Sequence, residues 1–144
     1  VGPKVVPEEF RAELAARGLA DRVHVPGNLP HAQFLTAMQR SVMYVRTHLR
    51  DGVCSSVLEA LTLGVPVVAA RDGLRPPSVL VYEPTLDAAM TDALAGHMLA
   101  VLADPAAARA RVEAPEVEDH LEDEIAVVTR RPAAALAAPV PAPA

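Results

Sequence analysis

The sequence predicts an α/β domain built on a parallel sheet. Three observations carry this. Short apolar runs rich in valine alternate with segments whose apolar residues recur at helical spacing. Glycine and proline punctuate nearly every change of period. The run Pro66-Val67-Val68-Ala69-Ala70 is apolar throughout, the mark of a strand covered on both faces.

The elements follow in order. Val1-Gly2 reads as the end of a strand, and Pro7-Glu8-Glu9 opens a helix through Phe10, Leu14 and Ala15 that closes at Gly18. Arg22-Val23-His24-Val25 reads as a short strand ended by Pro26-Gly27-Asn28, and Ala32 to Gln39 has helical spacing through Phe34, Leu35 and Met38. Val42 to Val45 is a further strand. A loop from Thr47 to Ser55 leads to a short helix, Ser56 to Leu63, stopped by Gly64. Then come the buried strand 66–70, a loop with Gly73 and Pro76-Pro77, a strand from Val79 to Tyr82, and a helix capped by Asp87 that runs to about Ala103. No internal repeat is present, which excludes solenoids and propellers.

Composition bounds the function. A chain of 144 residues allows one domain with a genuine core. With 51% apolar but only 3% aromatic residues, that core is aliphatic and base-stacking platforms are excluded. Thirteen basic and 18 acidic side chains give a net charge of −5, which repels nucleic acid and anionic membranes, so any phosphate must meet a local site. The single cysteine, Cys54, excludes an internal disulfide and a cysteine zinc cluster, and places the protein in the reducing cytoplasm. No apolar run is long enough to span a bilayer. Twelve of the 13 basic residues are arginine and alanine is abundant, a GC-rich codon bias that points to a bacterial source.

From Glu113 to Glu124 eight of twelve residues are acidic or histidine, so residues 113–131 read as an acidic helix or linker. Residues 132–144 are almost only Ala and Pro and read as a disordered tail.

The chemistry lies in the stretch from Asp51 to Val68. It is a small-residue loop followed by a helix N-terminus, with two carboxylates, Asp51 and Glu59, eight positions apart. Unbonded N–H groups and the positive end of the helix dipole over Cys54 to Leu58 can hold a diphosphate without Lys or Arg. Flanking carboxylates can accept hydrogen bonds from sugar hydroxyls. Ser56 and Glu59 also fit an S-x-x-E capping box, in which Glu59 serves the helix and not a ligand. Asp51-Gly52 also fits a plain turn. Cys54 reads as a small packed side chain. Arg46, His48 and Arg50 stand just before the loop, as phosphate contacts or as a solvated strand end. His24, His31, His48, His97 and His120 lack metal-ligand spacing, and no metal site is assigned.

The same stretch resembles the signature of group 1 glycosyltransferases, in which an acidic residue, seven others and a glutamate are followed by Ala, an apolar pair, Gly and Pro-Val-Val. Upstream, Gly18 to Gly27 looks like the family segment before the nucleotide-base loop. The resemblance covers about residues 1 to 112. It implies a Rossmann-like parallel sheet with helices on both faces, the C-terminal, donor-binding half of a GT-B fold that acts on a nucleotide-diphosphate sugar with retention and needs no metal. It implies that Glu59 accepts hydrogen bonds from the ribose and that Asp51 stands by the transferred sugar. The amides of Ser55, Ser56 and Val57, entered through Gly52, would hold the phosphates, and Gly27 and Asn28 would contact the base. Two departures stand out. Asp51 replaces the usual glutamate and is one methylene shorter. The Arg and Lys pair that the family carries early in this domain, and the acceptor domain before it, are not in this sequence. The expectation is an incomplete copy, inactive alone, that works with an acceptor domain in cis or as a non-catalytic binding module with a separate acceptor-side subunit.

Overall fold

The structure, a computed structural model, describes residues 7–50, 52 and 54–116. The elements are α1 (Glu8–Ala16), α2 (His31–Gln39), β1 (Tyr44–Arg46), α3 (Ser55–Thr62), β2 (Val67–Ala70), β3 (Leu80–Tyr82), α4 (Ala88–Ala103) and α5 (Pro105–Ala110). The strands form one parallel sheet in the order β1-β2-β3, with Tyr44 opposite Val67 and Val68 opposite Leu80.

The sheet is covered on both faces, and β2 shows why. Its side chains alternate between faces. Val67 and Ala69 pack in a cluster with Met38 of α2 and Val57, Ala60 and Leu61 of α3. Val68 and Ala70 pack on the other face with Tyr82, Met90 and Leu94, the last two from α4. All four β2 residues are fully buried, as the unbroken apolar run required.

Helix α3 forms because Val57, Ala60 and Leu61 fall on one stripe and fill the first cluster. It ends in a Schellman motif: Gly64 N–H donates to the Leu61 carbonyl and Val65 N–H to the Ala60 carbonyl. Gly64 sits at φ +68, and a Cβ there would meet nothing within 4 Å, so the backbone angle alone selects glycine. Asp87 caps α4, its Oδ1 accepting from Met90 N–H at 3.0 Å and from the Thr85 hydroxyl at 2.6 Å. Those bonds hold the Asp87 carboxyl below its usual range, the Thr85 hydroxyl first and Met90 N–H second.

The structure departs from the expectations in two elements. Arg22 to Val25 forms no strand. Among the described residues β1 pairs only with β2, so this segment has no ladder, and a strand of four residues has no stability of its own. Its Val25 is 47% exposed, so burial does not hold it either. The expected strand at Val1-Gly2 lies outside the described residues, as do the acidic run beyond Glu116 and the Ala/Pro tail. Second, α5 was not foreseen. Asp104 caps it by accepting from Ala107 N–H at 2.9 Å, and Pro105 takes its first position, so the Asp-Pro pair was the available signal.

Candidate functional site

In a parallel α/β sheet, loops at the carboxyl ends of the strands converge on one rim, where such folds bind ligands. The chain leaves β1 at Arg46 and returns as the N-terminus of α3 at that rim. Arg46 lies two residues after Tyr44 and so on the same face of the sheet as α3. Gly52 of the connecting loop takes φ +56, a turn that a side chain resists. Asp51 lies outside the described residues.

The first turn of α3 is organised by a chain of hydroxyl contacts. Tyr44 Oη lies 2.9 Å from Ser56 Oγ, which lies 3.0 Å from Cys54 Sγ. Cys54 is the N-cap residue and its side chain makes no cap bond. Val57 N–H donates to the Cys54 carbonyl at 3.0 Å, whereas the amides of Ser55 and Ser56 have no acceptor among the described residues. The Val57 side chain is buried in the core, so any contact from it is by backbone alone.

The capping box read from Ser56 and Glu59 does not form. The helix starts at Ser55, which leaves Ser56 inside the first turn with its hydroxyl engaged and places Glu59 a full turn further on. The Glu59 carboxylate instead faces α2, where His31 Nε2 lies 3.3 Å from its Oε1. Glu59 also lines a groove of about 320 Å³ with Leu35, Ser55, Leu58, Thr62 and Leu63. Gly27 and Asn28 are exposed in the connection before α2 and make no hydrogen bond to α3 among the described residues. Asn28 is three residues from His31, a span of at most about 11 Å, so the His31–Glu59 contact ties that turn to the site.

At the carboxyl end of β2 the sequence reading missed an ion pair. Arg75 Nη2 lies 3.2 Å from Asp72 Oδ2, with the side chains only 4% and 5% exposed. Arg75 Nε donates to the Ala70 carbonyl and Asp72 Oδ1 accepts from Leu74 N–H, so the pair folds the loop back onto the strand it leaves. Opposite charges three residues apart just after a strand were the only local sign. Nearby, burial pushes the Tyr82 hydroxyl above its ordinary value, against a smaller downward pull from the Arg75 charge. The described residues contain no cluster of three or more His, Cys, Asp or Glu able to hold a metal ion, and no helix long and apolar enough to cross a membrane.

No curated protein and no solved structure matches the chain. Residues 1–116 match the family described as glycosyl transferases group 1, and the parallel sheet with helices on both faces has the Rossmann-like form expected of such a domain. With most of its length matched, the chain belongs to the group 1 glycosyltransferases.

Proposed function

We propose that the chain supplies the donor-nucleotide half of a retaining hexosyltransferase of the GT-B type, and that an acceptor domain in cis or in trans completes it. The observation that carries this reading is the meeting of two groups at the rim of the sheet. Ser55 and Ser56 offer amides at a helix N-terminus, and Glu59 on the same helix lines a groove with an unburied carboxylate. A diphosphate and a ribose need those two partners.

In this reading the amides of Ser55 and Ser56 take the phosphate oxygens, with Val57 N–H shared between ligand and Cys54 carbonyl. Gly52 lets the loop close on them. Glu59 accepts from the ribose hydroxyls, and Gly27 and Asn28 meet the base through their backbone. Asp51 is assigned to the transferred sugar on the motif alone. During transfer the bond between the anomeric carbon and the diphosphate oxygen breaks, and its electron pair leaves with the diphosphate. Amides and a helix dipole already aimed at those oxygens stabilise that charge without reorganising. The acceptor oxygen bonds to the same face of the carbon, and its proton passes to the departing diphosphate oxygen. The single cysteine suits a cytoplasmic setting.

A thermal-shift panel of UDP, GDP, ADP and their sugars tests the reading. One nucleotide series raises the melting temperature, since a ligand at a hundred times its Kd adds about 2.7 kcal/mol. No shift from any of them at millimolar concentration contradicts it.

A further inference from the structure

We propose that His31 is a positioning residue for Glu59, holding one carboxylate oxygen so that the other is presented to the ribose. This rests on the ribose role given to Glu59 above. The primary observation is the contact of His31 Nε2 with Glu59 Oε1 at 3.3 Å. The two atoms stand at ion-pair distance, and Nε2 carries a proton both in the protonated ring and in one of the two neutral tautomers, so an N–H can face the carboxylate with or without a charge on the ring. Among the described residues no other side chain bonds the Glu59 carboxylate, which leaves Oε2 for a ligand.

The contact contributes little to the fold. His31 is 64% exposed and Glu59 28%, and ion pairs so open to water add little to stability. What it does is restrict a side chain with three rotatable bonds. Its two ends stand on fixed supports: α2 is seated in the core by Met38 and Phe34, and α3 by Val57, Ala60 and Leu61. His31 and Leu35 lie one turn apart on the same face of α2, and Leu35 lines the groove with Glu59. The imidazole therefore meets a residue of that groove, Glu59, from rigid backbone, as a preorganising contact needs to.

The test titrates the full chain and its His31→Ala, His31→Gln and Glu59→Gln variants with whichever of UDP, GDP and ADP binds wild type best, and with its 2′,3′-dideoxy analogue. The expected result is that His31→Ala weakens the ribonucleotide about fivefold, the worth of one hydrogen bond, and leaves the dideoxy analogue unchanged. His31→Gln, which restores an N–H donor, recovers the ribonucleotide affinity to within about twofold. Melting temperatures of the His31 variants stay close to wild type, since a merely structural contact would move those and not the ribose preference. If Glu59→Gln loses the ribose preference and His31→Ala keeps it, the positioning role is wrong and the role of Glu59 stands. Equal weakening of both nucleotides by His31→Ala also overturns it. If Glu59→Gln is silent, or no nucleotide binds, the ribose reading fails and this inference with it.

Discussion

Tyr44 Oη and Ser56 Oγ meet at 2.9 Å, joining the first residue of β1 to the first turn of α3 across twelve residues of chain. The bond holds the helix N-terminus against the strand that precedes it, and it occupies the hydroxyl that a capping box would have used. The capping box is one of the two readings the sequence allows there; the tertiary partner takes the hydroxyl instead.

Removing the phenol tests this bond. Tyr44→Phe keeps the ring and its edge contact with Phe34, so the loss is one neutral, half-buried hydrogen bond. Unfolding free energy falls by about 1 kcal/mol. Urea titration reads this as a lower midpoint with an unchanged slope.

The Asp72–Arg75 pair makes a larger prediction. Arg75→Met leaves a carboxylate that is 5% exposed without its guanidinium and costs about 3 to 5 kcal/mol. Adding Asp72→Asn recovers part of that loss. Two single losses that simply add in the double variant would show that the pair is not coupled.

Asp87 sets a pH dependence. Its carboxyl is held below the ordinary value in the fold, first by the Thr85 hydroxyl and then by Met90 N–H. A lowered folded value means that the stabilisation is complete above the unfolded value and is lost as pH falls through the folded one. Asp87→Ala therefore melts below wild type at pH 7, and the gap narrows on acidification towards pH 3. A gap that is constant between those pH values contradicts the cap.

The legible parts of the molecule are those in which local pattern and tertiary burial agree. Residues 67–70 are apolar at every position and were read as a strand covered on both faces. The Val57, Ala60, Leu61 stripe and Gly64 marked α3 and its end. Val23-His24-Val25 has equally good strand alternation, yet a strand exists only by pairing, and no neighbour lies beside it among the described residues. The start of α3 reads from the sequence as Ser56, one residue inside the observed start at Ser55, because composition marks a helix end only to within a residue or two. The His31–Glu59 contact was not: its members are 28 positions apart, and each alone reads as an ordinary exposed side chain. Asp72 and Arg75 fall in the loop after β2, and nothing in a sequence states that this loop folds back onto the strand it leaves.

The most direct measurement of the central claim is calorimetric titration of folded wild type and Glu59→Gln with the nucleoside diphosphate that the chain prefers. Gln keeps the shape and some hydrogen bonding but loses the charge-assisted part, about 1.5 to 3 kcal/mol. Glu59→Gln is expected to bind the nucleotide about ten- to a hundredfold more weakly, with an unchanged melting temperature in the absence of ligand. Equal affinity in the two proteins would contradict the assignment of Glu59 to the ribose.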